Sequence, residues 1–408
     1  MRKTFALALL LMTAMSAVAQ QQMRIWQNGD SERTPITQTS VTFANDGASV
    51  DINGKTYQTS TIDSITMVHI LIVNFGESGA TVDLGKVQGV TYTVSGNDVT
   101  INNTNVHNEV EVVLQGTSAD GSFTYTGNYK CKIYLNGVHL TSTKGAAVNI
   151  LCGKRVDLIL NDGTDNSLED AAGGTQKAAL YCKGHLEFSG SGNLTVSGNT
   201  KHAIASKEYM ELKKSTGTIS VAKAASDAFH CGQYFLMKGG TVNIDANTTG
   251  DGIQAEIITL DEDITPDPSK EDNTGGITIE GGTINAVIAN QDCKGIKADG
   301  DIAISGGTID IKPTGNGSRG IQTDGNMVVG CETAETNITI ATAGGKCTLA
   351  ECKDDPHRCM GIKVDGDLTV NGGIITVTHA KSSARDIKVG GAYKNNGGTV
   401  SGSVDSKK

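Results

Sequence analysis

The strongest constraint in this chain is a spacing. From residue 178 onward a small residue followed by a large apolar one recurs at Ala179-Leu180, Ala203-Ile204, Ala228-Phe229, Gly252-Ile253, Gly295-Ile296, Gly320-Ile321 and Gly361-Ile362, then less regularly at Asp386-Ile387. The steps between the apolar anchors are 24, 25, 24, 43, 25, 41 and 25 residues, a unit of 24 to 25 with insertions near 260–275 and 330–357. A fixed period of this length marks a stacked repeat, because one such unit cannot bury its apolar face alone. Both insertions carry proline (Pro266, Pro268, Pro356), as loops leaving a strand ladder should.

Inside each unit, Thr241, Thr283, Thr308, Ile374 and Thr399 each follow Gly-Gly. The residues after them alternate apolar and polar, as in Val242 and Ile244, Ile309 and Ile311, or Ile375 and Val377. Period two means strands with one buried face. A second short strand lies between anchor and Gly-Gly, at 301–305 and 367–370. Two or three short strands per unit, with glycine at the corners and no helical period, specify an all-β fold: a right-handed parallel β-helix whose coils stack at ~4.8 Å. The coils are expected over 111–403, with Val148 as a first anchor. Residues 20–110 lack the repeat and are expected to form a small N-terminal β module or cap.

Residues 1–19 have the form of a secretory signal peptide: Arg2-Lys3, an apolar run over 5–12, and Ala17-Val18-Ala19 before the expected cleavage site. Export to the periplasm, cell surface or medium is expected, without membrane insertion. Among nine cysteines, Cys182 and Cys231 each fall two residues after an anchor and two coils apart, roughly 9–10 Å, beyond disulfide reach. They are read as core thiols. Cys331, Cys347, Cys352 and Cys359 cluster with His357 in the second insertion, where one or two disulfides are expected over a zinc site.

The formal charge of −10 argues against a nucleic-acid partner. The acidity is local: residues 251–292 hold ten acids against the single base Lys270. The lone tryptophan, Trp26, is too few for a sugar site built mainly on stacked aromatic rings. Stacking of coils turns repeat positions into ladders. Two residues before the anchors stand His202, Asp227, Asp251, Lys294, Arg319, Met360 and Arg385; one residue after stand Ala205, His230, Gln254, Lys297, Gln322, Lys363 and Lys388. Asp227 and Asp251 would then lie about 5 Å apart. Such a pair asks for a cation, and calcium suits hard carboxylate oxygens on a fixed backbone. The alternative is that both cap turns or face solvent. The lysines that follow form a cationic strip suited to uronate groups, or merely a solvated charged face. Loop 161–170, with Asp162 and Asp165, is a weaker calcium candidate.

Gly-Lys-Arg-Val at 153–156, Asp-Gly-Thr-Asp-Asn-Ser-Leu at 162–168, Gly-His-Leu-Glu-Phe-Ser-Gly-Ser-Gly at 184–192, Ser-Asp-Ala-Phe at 226–229 and Gly-Asp-Gly-Ile-Gln at 250–254 resemble a bacterial carbohydrate-binding β-helix family. The likeness covers about 111–403, and the N-terminal segment resembles that of Bacteroidetes members. The resemblance implies calcium-dependent binding of polygalacturonate and a fold similar to family 9 pectate lyases. It makes Asp227 and Asp251 part of a calcium cluster, and Lys294 or Lys297 the base of a lyase. The companions expected beside the second aspartate are replaced by Gly252 and Ala255, with Glu256 nearby. The expected function is therefore calcium-assisted binding of acidic plant polysaccharide through His230, Gln254, Lys294, Lys297, Arg319, Lys363 and Lys388. The alternatives are a pectate-lyase-like enzyme and a surface adhesion or structural β-helix.

Overall fold

A computed structural model describes residues 21–28, 30–35, 41–44, 46–52, 54–260, 266–331, 334–353 and 357–407; the expected signal peptide lies outside them. Every full coil contributes three strands, such as Ala178–Cys182, Leu186–Ser189 and Asn193–Gly198, and then the next coil repeats them as His202–Ser206, Met210–Leu212 and Thr218–Ala224. Each strand pairs in parallel with its counterpart one coil away. The result is a parallel β-helix with an anchor face, a second face and a third face.

The anchors form one continuous ladder: Val148, Leu180, Ile204, Phe229, Ile253, Ile296, Ile321, Ile362, Ile387 and Val404. Ile253 pairs with Ile296 and Ile321 with Ile362, so both insertions leave the ladder and return without shifting its register. On the second face Leu186, Met210, Phe235, Ile277, Ile302, Met327 and Leu368 make the matching inward row. Together with the third-face isoleucines and valines they fill one core along the helix axis. Each such side chain removed from water contributes about 1.5–3 kcal/mol, which opposes the backbone entropy of ordering so many short strands.

The glycine pairs have a steric reason. Gly307 has φ +94°, and a Cβ there would lie 2.7 Å from the carbonyl oxygen of Gly282 in the coil below. Gly307→Ala should lower unfolding free energy by about 1–3 kcal/mol, because it meets both the left-handed region and a backbone wall. Gly153→Ala, where nothing lies within 4 Å, should leave the denaturation midpoint nearly unchanged. Equal midpoints for the two variants in chemical denaturation would refute this account of the corners.

The helix begins earlier than residue 111. Ile62–Phe75 is one 14-residue strand that changes partners along its length. Its first half pairs antiparallel with Gln21–Gln27, while Ile70 to Phe75 pair in parallel with Glu111 to Gly116. Asn97–Asn103 likewise pairs in parallel with Gly121–Gly127, and Val90–Ser95 folds back on it antiparallel, covering the open end of the anchor face. No anchor spacing marks this first coil, so the repeat in the sequence does not reach it. A separate small core of Ile25, Val50, Ile52 and Tyr57 lies before it. Module and helix are joined by Glu111, which accepts from Arg24 at 2.8 Å, Arg33 at 2.6 Å and the Tyr134 hydroxyl at 2.9 Å. At the other end Val404–Ser406 extends the ladder past residue 403.

Cys182 and Cys231 are buried core thiols separated by Ser206, as the two-coil spacing requires. In the second insertion Cys347 and Cys352 form a disulfide with Cα atoms 6.0 Å apart, and Cys359 is a buried thiol.

Candidate functional site

The anchor strands carry one column on the side away from the core: Tyr181, Ala205, His230, Gln254, Lys297, Gln322, Lys363 and Lys388 are successive register partners, of which Ala205, Gln254 and Gln322 are buried. Both ladders read from the sequence therefore exist, but their members differ in what they can touch. Lys388 is exposed, and Lys363 and Lys297 show 22% and 26% of their side chains. Lys363 pairs with Asp365 at 2.8 Å, and the Lys297 ammonium stands 4.0 Å from Asp251. Gln254 is buried and donates to Glu256.

Two expected sugar contacts are turned away. Arg319 is buried, donating at 2.5 Å to Gln322 and lying 3.8 Å from Asp292. Lys294 folds back on its own turn, where its Nζ donates at 2.5 Å to the carbonyl of Asp292. Both belong to the row two residues before the anchor, which lies at the corner where the third face turns into the anchor face. Long side chains there find turn carboxylates and carbonyls before they reach solvent.

Asp227 and Asp251 are also in that row, and both are buried. Asp227 Oδ1 accepts the backbone N–H of Asp251 at 2.8 Å, and Asp251 Oδ1 accepts that of Lys294 at 2.7 Å. Each carboxylate thus satisfies a backbone donor of the next coil, which is the turn-capping alternative. Asp227 Oδ2 lies 3.1 Å from His202 Nδ1 and 2.9 Å from His230 Nδ1, with the two imidazoles stacked at 4.1 Å. Burial pushes the Asp227 carboxyl up, but the hydrogen bonds from His202 and His230 outweigh it and hold the group well below the carboxylate range. Asp251 has no imidazole partner; burial, with Asp227 adding to it, pushes its carboxyl up to about 6 against the pull of Lys294 and Lys297. Burial lowers His202.

This donor set does not fit calcium, which takes six to eight oxygens. Three of the four carboxylate oxygens already meet N–H groups of the backbone or imidazole nitrogens, and the fourth faces Lys297. Asp162 and Asp165 do not join them. Asp162 Oδ1 accepts the Ser191 N–H at 3.0 Å and its hydroxyl at 2.6 Å, and Asp165 accepts the Asn193 amide at 2.8 Å. They bind the turn and third-face strand to the next coil. The group that could hold a metal is His202, Asp227 and His230, whose two nitrogens and one oxygen suit zinc better than calcium. Asp292, Cys352 and His357 also gather, but the Cys352 sulfur is bonded to Cys347.

Beside the histidines a groove of about 260 Å³ is bordered by Lys177, Tyr181, Lys201, Lys207 and Glu256. Lys177 and Lys201 were not singled out from the sequence. They recur three residues before Leu180 and Ile204, a ladder position that the same spacing argument could have reached. Stacked rings were missed as well. On the second face His185 lies 4.2 Å from Tyr209, which lies 4.8 Å from Tyr234, each occupying the position before an inward residue in successive coils. Counting tryptophan gave no sign of them.

A family model described as carbohydrate-binding domain-containing protein matches residues 95–404. A carbohydrate-binding domain-containing protein of Acetivibrio thermocellus is 30% identical over 118 residues, 26% of this chain and 41% of that relative, so the match spans about two fifths of the relative's length. Among solved structures, a polysaccharide lyase-like protein from C. thermocellum aligns over 77% of this chain and 98% of its own, with a TM-score of 0.48 and 20% identity. Since the family match runs from the first coils to the last, the chain belongs to the carbohydrate-binding domain-containing protein family.

Proposed function

We propose that the protein is exported and binds an acidic polysaccharide of the polygalacturonate type, laid lengthwise along the anchor face. The observation that supports this reading most is the ladder that carries Lys297, Lys363 and Lys388 on its outward side, with the buried Gln322 between the first two. Stacking at about 4.8 Å per coil sets these cations along a line, which the carboxylates of a linear polyanion can follow. The reading assigns no bridging calcium to Asp227 and Asp251, because their oxygens are engaged within the fold.

The test is a titration with polygalacturonate at rising salt, with calcium or chelator in parallel. Affinity should fall several-fold between 50 and about 300 mM salt, as exposed ion pairs are screened, and chelator should leave it unchanged. Salt-independent binding would overturn the ionic column, and loss on chelation would restore the calcium reading. Lyase chemistry is disfavoured by Lys294 being folded onto Asp292. Incubation with polygalacturonate should accordingly produce no unsaturated-uronate absorbance; its appearance would make Lys297 the residue to replace.

A further inference from the structure

The aromatic column on the second face ends abruptly. His185, Tyr209 and Tyr234 stack with interplanar angles of 20° and 8°, each ring covering the face of the one before. The residue in register with Tyr234 in the next coil is Gly276. It supplies no side chain, so among the described residues no ring covers the outer face of Tyr234. A groove of about 720 Å³ opens there, bordered by Tyr234, Leu236, Gly276 and the carboxylates Asp272, Glu280 and Asp301. Asp301 Oδ1 accepts the Asn326 backbone N–H at 2.7 Å and its side-chain amide at 3.2 Å; among the described residues Oδ2 has no hydrogen-bond partner. Burial, with Asp272 adding to it, pushes the Tyr234 phenol up to about 12, so the ring stays neutral.

We propose that this step is a second carbohydrate subsite, in which a neutral pyranose ring takes the place left by Gly276 and continues the stack on Tyr234. Three observations select that occupant. The slot has the thickness of one coil, about 4.8 Å, which suits one ring lying flat on another. The negative face of an aromatic ring favours the axial C–H groups of a pyranose, and Leu236 adds apolar surface beside it. The polar border is made of carboxylates, which accept hydroxyl hydrogens strongly and repel uronates. The subsite is independent of the lysine column. It lies on another face and selects the opposite charge class, so it goes beyond the polyuronate reading and does not rest on it.

The experiment is a calorimetric titration of the full chain with cellohexaose, mannohexaose and xylohexaose. At least one should bind, and Tyr234→Ala should weaken that binding tenfold or more. Tyr234→Phe should retain it within about threefold, since the ring face remains. Gly276→Val, whose Cβ would stand 3.0 Å from the Asp301 carbonyl oxygen at the edge of the slot, should abolish it, with an unchanged far-UV spectrum reporting that each variant is folded. The column variant Lys297→Glu/Lys363→Glu/Lys388→Glu should bind the same hexaose as the parent does. Absence of binding to all three hexaoses, or binding indifferent to Tyr234→Ala, would overturn the subsite. Neither result bears on polygalacturonate, which is measured separately.

Discussion

Replacing Lys297, Lys363 and Lys388 together by glutamate should weaken polygalacturonate binding by roughly 30- to 1000-fold. Each exposed ion pair is worth about 0.2–1 kcal/mol. Reversal converts three attractions into repulsions of similar size, a span of ~1–6 kcal/mol at low salt whose middle part, ~2–4 kcal/mol, corresponds to that fold-change. The three residues lie outside the apolar core, so the fold should be kept, but Lys297→Glu sets a second carboxylate beside the buried Asp251 and should lower the denaturation midpoint somewhat. Lys363→Glu would leave Asp365 facing a carboxylate in place of its ion-pair partner, a small cost at an exposed site. The matched control is Arg319→Lys. It keeps the charge, and the buried guanidinium it replaces is turned toward Gln322 and Asp292, so the account expects no comparable loss of sugar binding. A triple variant with parental affinity would remove the column from the site.

Phe229→Ala is the substitution expected to cost most stability, about 3–5 kcal/mol. Phe229 is fully buried, sits in the ladder between Ile204 and Ile253, and meets Phe235 edge to face at 6.3 Å. Its removal leaves a cavity between coils whose backbones are fixed by parallel pairing on both sides, so the site collapses poorly. In a solenoid each coil is held by its neighbours, and the loss should therefore be felt as weakened coupling between the coils on either side of residue 229. Chemical denaturation should show a lower midpoint, or a split transition. Thr195→Ala, on the outward side of the third face, should stay within about 0.5 kcal/mol of the parent. A midpoint for Phe229→Ala as high as that of Thr195→Ala would mean that the anchors do not carry the stability assigned to them.

What was legible in the sequence follows from what repetition records. Backbone register is a property of spacing, so Leu180, Ile204, Phe229 and Ile253 could be placed on one row before any coordinates. The same spacing put Lys297, Lys363 and Lys388 on one line. Side-chain direction at a corner is not a property of spacing. Arg319 and Asp251 occupy the right rungs, yet the turn carries them inward to Gln322 and to the Lys294 N–H. The Asp227–Asp251 pair was expected to repel and to need a cation. Imidazoles from two coils and backbone donors meet that need instead, through a residue, His202, that stood in the same ladder without being counted as a partner. The start of the coils is hard to read for a related reason: Ile62–Phe75 changes from antiparallel to parallel pairing within one strand, and nothing in its composition marks the change. The tyrosine stack lay hidden because its members are 25 residues apart and flank an inward row, where only a search along the second face would align them.

The central claim is that negative charge on the sugar chain is what the anchor face recognises. It is tested most directly by measuring the affinity of the full chain for polygalacturonate and for the same polymer fully methyl-esterified, which keeps chain and stereochemistry while removing the charge. The account predicts that esterification lowers affinity at least tenfold at low salt and that the difference shrinks as salt rises. Equal affinity for the two polymers would contradict it.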